Sequence, residues 1–315
     1  MLTKAQFDRL LLSVEKPGRY SGGEPGSIVK KISKADVSFA FCFPDTYEVG
    51  MSHLGMKILY GLLNAMDFVR CERAFMPWAD MRAKLMERHV PLFSLETKTP
   101  LSSFDFVGFT LQYELSYTNV LDMLSLAGIP LRSAARDDSA PIVIAGGPCA
   151  CNPEPLADFI DLFVLGEGEE TAAELMTLYR AHRAAGGGKA AFLKKAAALG
   201  GVYVPALYEV SYNPDGTAAA VRPLAGAPYP VKKRIIADLD EVYYPENFVV
   251  PFLDAVHNRA MAEVFRGCIR GCRFCQAGFI YRPVREKSPE TVNRQARGPL
   301  GADLPTDRGP ATDAG

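Results

Sequence analysis

From Val37 onward, short apolar runs alternate with helically spaced ones, and that rhythm restricts the fold more than any other feature. VSFAFCFP (37–44) is an apolar run stopped by Pro44 and Asp45, the pattern of a strand buried on both faces. HLGMKILYGLLNAM (53–66) follows with apolar residues at helical spacing. The alternation then repeats through FVRCERAF and WADMRAKLMERH, FDFVGFTL and SYTNVLDMLSLAG, and LFVLGEG and EETAAELMTLYRAHRAA. Between the last two pairs lies PIVIAGG, followed by a short proline-opened helix expected in NPEPLADFI. Strands and helices alternating across short glycine-containing turns predict an α/β fold, a Rossmann-like parallel sheet with helices on both faces. Right-handed crossovers would bring every strand-to-helix loop to one edge.

The flanks differ from this domain, which the pattern bounds at residues 31–188, ending in AAGGG. Residues 1–30 read as an amphipathic helix and a Gly/Pro-rich loop. Residues 189–260 read as a linker containing a β-hairpin around NPDG, with a proline-rich, aromatic stretch after it. Residues 261–297 begin with the strand-like AMAEVFRGC. Residues 298–315 hold no aromatic, Ile or Val and are too poor in apolar surface to fold.

Bulk properties exclude little but point inward. A hydrophobic share of 48% and a charged share of 23% are those of a water-soluble globular protein. A net charge of −1 offers no attraction to nucleic acid or to an anionic membrane. No apolar run approaches the ~18 residues of a membrane span, and the N-terminus lacks a signal-peptide pattern. A cytoplasmic protein is therefore expected.

Of the seven cysteines, three crowd into Cys268, Cys272 and Cys275. An odd, clustered set suits a metal or iron–sulfur site better than a disulfide framework. Three thiolates from one loop can hold three corners of a cubane cluster and leave the fourth iron open. That iron can chelate the amino and carboxylate groups of S-adenosylmethionine (SAM), and an electron from the cluster can then cleave a carbon–sulfur bond to release a 5′-deoxyadenosyl radical. The competing reading is structural zinc, which needs a fourth ligand such as His257. Gly267 and Gly271 would let the backbone fold tightly around the cluster. Arg266, Arg270, Arg273, Arg282 and Arg285 surround the loop, and the sequence assigns none of them a role.

RGCIRGCRFCQAGFIYRPVR resembles the first strand and cluster loop of radical SAM enzymes, with the C-x3-C-x-aromatic-C pattern matched in full. The resemblance implies a [4Fe–4S] cluster on Cys268, Cys272 and Cys275, Phe274 beside the adenine of SAM, and an electron donor such as flavodoxin or ferredoxin. PDTYEVGMSHLGMKIL, IVIAGGP and DLFVLGEGEET resemble the B12-binding-type domain that precedes many radical SAM barrels. KPGRYSGGE, FPDTYEVGMSHLGMKILY and CQAGFIYRPVR together are similar to one uncharacterised family of B12-binding-domain radical SAM proteins, whose substrate is unknown. That likeness makes cobalamin a candidate cofactor, its nucleotide tail entering a gap beside Gly146 and Gly147. The DxHxxG lower-ligand motif is absent, Asp45 and His53 being eight residues apart, so His53 is expected to be a surface or helix-capping residue and GEGEE (166–170) to serve structure. Cys149 and Cys151 are expected to be isolated thiols, and Cys42 and Cys71 core residues.

The resemblance fades near Arg297, where only the first βα unit of a TIM-type barrel has been reached. It predicts a chain cut or frame-shifted just after the cluster loop, unable by itself to complete SAM binding, from a parent about twice as long. The alternative is a non-catalytic corrinoid- or nucleotide-binding module with a vestigial cluster loop.

Overall fold

The computed structural model describes residues 3–301 apart from Ile32, Lys34, Ala35, Asn258 and Ala260. The predicted tail lies almost wholly outside the described residues. The chain opens with α1 (Lys4–Leu11), capped by a reciprocal Thr3–Gln6 capping box. There follow β1 (Val37–Phe43), the one-turn α2 (Tyr47–Gly50), α3 (Leu54–Ala65), β2 (Val69–Phe75), α4 (Ala79–Glu87), β3 (Phe106–Thr110), α5 (Tyr117–Leu126), β4 (Ile142–Gly146), β5 (Leu162–Val164), α6 (Gly168–Ala184), α7 (Lys189–Ala196) and β6 (Val202–Tyr203).

These strands form one six-stranded sheet in the order β2-β1-β3-β4-β5-β6. All neighbouring pairs are parallel except β5–β6. Every residue of β1 is buried, as its unbroken apolar run requires of a strand covered on both faces. One apolar cluster lies on each face, with Val107, Phe109, Val143 and Phe163 on one and Phe41, Phe106, Ile144 and Leu162 on the other. Cys42 and Cys71 are buried in this core, as expected.

Two details depart from the sequence reading. NPEPLADFI forms only a 3₁₀ turn at Glu154–Leu156 in place of a longer helix. The sheet also continues beyond residue 188, since α7 and the short antiparallel β6 pack onto it.

The Gly/Pro-rich N-terminal segment is bound to the sheet through buried charge. Arg73 on β2 pairs with Glu24 at 2.9 Å and Glu96 at 2.7 Å, all three nearly inaccessible. The Tyr47 hydroxyl donates to Glu24, and Arg19 pairs with Glu48 at 2.8 Å. KPGRYSGGE therefore acts as a strap across one end of the sheet.

After the sheet, β7 (Tyr208–Tyr212) and β8 (Ala218–Pro223) form the expected hairpin. The following stretch has little regular structure, yet Ile236, Leu239 and Val249 are buried. Its Arg234 backbone is spliced onto the sheet edge: Arg234 N–H donates to Leu165 O and Glu167 N–H to Arg234 O. The chain ends with β9 (Phe265–Arg266), α8 (Ala277–Ile280), β10 (Arg285–Glu286) and α9 (Pro289–Gly301). β9 and β10 pair antiparallel, so the cysteine loop is the connection across a two-stranded ribbon. No helix among the described residues is long and apolar enough to cross a membrane.

Candidate functional site

The strand order places the reversal of winding between β1 and β3, and the loops leaving the carboxyl ends of the parallel strands collect there. Below them, between the sheet, α3 and α6, lies a cavity of about 470 Å³. Its walls are apolar, from residues such as Phe41, Ile58, Ile144 and Met176. Its polar end holds His53, Gln112, Glu167, Glu169, Glu263 and Arg266. Phe265, Arg266, Gly267 and Tyr281 also border it, so the ribbon carrying the cysteines forms part of the wall.

The glycine pair singled out in the sequence lines this cavity, but the two members do different work. Gly147 has φ +97°, and a Cβ there would stand 2.7 Å from Leu111 O, so the turn itself demands glycine. A Cβ on Gly146 would meet nothing closer than 3.7 Å. Its absence keeps the cavity mouth open and answers no steric demand from the protein.

His53 is the N-cap of α3, its Nδ1 accepting from Met56 N–H at 3.1 Å. The ring stacks obliquely on Phe43 with centroids 5.5 Å apart. Burial pushes its pKa down, against a hydrogen bond to Gln112, which favours the neutral ring. The capping role expected of this residue is the one it performs.

GEGEE opens α6 and grips the ribbon. Arg266 pairs with Glu169 at 2.6 Å, Glu263 at 2.7 Å and Glu167 at 3.6 Å. Arg285 reaches Glu167 at 2.5 Å and Lys287 reaches Glu263 at 3.0 Å. Three cations thus balance three carboxylates between α6 and the ribbon. Burial raises the pKa of Glu167, but hydrogen bonds from Arg285 and the Ile236 amide and the charge of Arg266 outweigh it and leave the pKa lowered. Glu263 is likewise lowered, its burial outweighed by Arg266 and Lys287. Sequence reasoning missed this grid. Its signal was the charge complementarity between GEGEE and the basic stretch around the cysteines.

Cys268 and Cys275 are partly buried and Cys272 is exposed, and none is in a disulfide. Gly267, at φ +106°, turns the chain into the loop, where a Cβ would stand 2.5 Å from Pro283 O. Cys275 N–H donates to Cys272 O at 3.2 Å. Phe274 is 91% exposed, Ile269 80%. Among the described residues, no three His, Cys, Asp or Glu side chains are gathered in a metal-holding group. The donor chemistry nonetheless suits an iron–sulfur cluster: three free thiols on one short, accessible loop. Cys149 and Cys151 lie in the turn after β4, and Pro148 and Cys151 of that turn share a small cleft with Tyr281 and Arg282 beside the ribbon.

Residues 55–205 match a family model described as radical SAM proteins, N-terminal. The matched span runs from the start of α3 through α7 and β6, the body of the sheet domain. An uncharacterized protein of Methanocaldococcus jannaschii is 25% identical over 247 residues, covering 78% of this chain and 42% of its own. The chain therefore spans less than half the length of the curated relative it matches. Among solved structures, it is similar to the radical S-adenosylmethionine methyltransferase TsrM of Kitasatospora setae, solved with tryptophan substrate and a SAM analog bound. That likeness has a TM-score of 0.48 and 14% identity, over 82% of this chain and 44% of that one.

Proposed function

We propose that this chain supplies the cobalamin-type sheet domain and the cluster loop of a radical SAM enzyme. One observation carries the reading: the loop bearing Cys268, Cys272 and Cys275 springs from a ribbon that walls an apolar cavity at the carboxyl edge of a parallel sheet. Cys268, Cys272 and Cys275 would hold a [4Fe–4S] cluster, with Phe274 beside the adenine of SAM. When bound, the cluster and SAM supply one-electron cleavage of a carbon–sulfur bond to give a 5′-deoxyadenosyl radical. The chain's own contribution is to present three thiols together and to hold the loop against the cavity. Because Cys268 borders the docked ribbon while Cys272 and Phe274 face solvent, closure of the loop is what would gather the three sulfurs.

The cavity suits the planar nucleotide tail of a cobalamin. Its walls are apolar, and Gly146 leaves the mouth clear. With the Nδ1 of His53 engaged by the α3 amide, such a ligand would bind without that nitrogen as a ligand to cobalt. Substrate and electron donor come from outside this chain.

Anaerobic reconstitution tests the reading directly. Four irons and four sulfides per chain are expected, with a broad visible absorbance that disappears in the C268A/C272A/C275A variant. Iron retained equally by that variant would overturn it. The alternative, a corrinoid-binding module with a vestigial loop, has its own support in the contrast between a formed cavity and ungathered thiols. Corrinoid uptake without iron would favour it.

A further inference from the structure

The cluster loop leaves β9 two residues after Arg266, so whatever fixes that guanidinium fixes the loop's starting point. The Arg266 side chain is only 15% exposed, and its strongest cross-element partner, Glu169, only 9%. Glu169 lies in the first turn of α6, where the helix dipole favours a carboxylate and the helix packs on the sheet. Glu167, two residues earlier at the N-cap of α6, holds both Arg266 and Arg285, and so touches both strands of the ribbon. Other contacts come from the segment after β8: Lys233 donates to Ile280 O at 2.7 Å and Arg282 O at 2.6 Å. These hold the far side of the loop, after Cys275. On the near side, before Cys268, Arg266 supplies the ion pairs to Glu167 and Glu169 at the start of α6.

We infer that Arg266 is a positioning residue for the cluster loop: through Glu169 and Glu167 it holds the residue before Cys268, Gly267, at the cavity wall. The inference rests on reading residues 268–275 as that loop. A bidentate-capable, planar guanidinium fits this task because it engages carboxylates on separate elements at once, which a lysine ammonium does less rigidly. Removing it would leave Glu169 without its counter-charge and release the tie between α6 and the start of the loop.

The test is the alkylation rate of each cysteine by iodoacetamide in the anaerobic, cluster-free full chain, followed by mass spectrometry. In Arg266→Met the Cys268 rate is expected to rise about fivefold or more, and in Glu169→Gln about two- to threefold, as local opening becomes easier. Arg266→Lys should stay within about twofold of the native rate, and the exposed Cys272 should change little in any variant. Buried Cys42 and Cys71 report global unfolding. Unchanged Cys268 rates in both Arg266→Met and Glu169→Gln would overturn the inference, as would rates rising only in step with Cys42 and Cys71. Iron uptake by the native chain is measured separately. If it fails, the proposed function falls while the alkylation pattern still decides the role of Arg266.

Discussion

The sheet domain and the cysteine-bearing ribbon solve the same problem, fixing a loop in space, by opposite means. In the sheet, Phe106 is fully buried and meets Phe39, Tyr179 and Phe192 at ring-centroid distances of 6.0, 4.6 and 6.0 Å. Close packing over-determines the position of every loop leaving it. In the ribbon, Ile269, Phe274 and Phe279 face solvent, and placement depends on a few charge-assisted hydrogen bonds. Apolar burial is non-directional and hard to undo piecemeal. Ion pairs are directional and can be released one at a time.

The largest effect should come from breaking the sheet side. Phe106→Ala is expected to cost about 3–5 kcal/mol in urea unfolding, because the cavity it leaves is enclosed by rings on three sides. A loss below about 1 kcal/mol would show that the core is looser than its contacts imply. Arg73→Met should cost a similar amount, about 3–5 kcal/mol, since it strands Glu24 and Glu96 in the interior. The R73M/E24Q/E96Q triple variant should recover much of that loss, and no recovery would mean the packing of the arginine stem matters more than its charge.

A pH titration sharpens the ribbon side. Glu167 and Glu263 have pKa values below the ordinary carboxylate value in the folded chain. Their contribution is therefore present above about pH 4.5 and fades as pH falls through their lowered folded values. Hydrogen exchange over residues 263–287 should accelerate in that acid window while β1 and β3 stay protected. Simultaneous loss of protection in both regions would show that the ribbon does not open on its own. Smaller still is His53→Ala, which removes the α3 cap and should cost about 0.5–2 kcal/mol. Smallest is Phe274→Ala, expected to shift stability by less than about 0.5 kcal/mol because its ring makes little protein contact. If that substitution nonetheless weakens SAM binding by the reconstituted protein, the ring serves the ligand and not the fold.

The same contrast explains what could be read from the sequence. The strands were legible because burial on both faces leaves an unbroken apolar run, as in VSFAFCF. The cysteine triplet was legible because ligand spacing is local. β6 was not, being two residues long and defined by a partner 38 residues back, Val164↔Val202. Neither was α7: its run KAAFLKKA follows three glycines, which resemble a terminator more than a helix start. The ion-pair grid escaped because Glu167 and Arg285 are 118 residues apart and each, seen alone, looks like a solvated charge. Arg266 was in view among the arginines around the loop, yet only the fold distinguishes it from Arg270 and Arg273.

The splice of Arg234 between Leu165 and Glu167 also has a mechanical consequence. Since its main chain is woven into the sheet margin, the stretch leading to the cysteines has no slack upstream of that point. Extra residues inserted at the 213–217 hairpin tip should be absorbed as a surface bulge, whereas even one inserted between 232 and 236 would shift the phase of everything downstream. The connection behaves as a ruler and not as a tether.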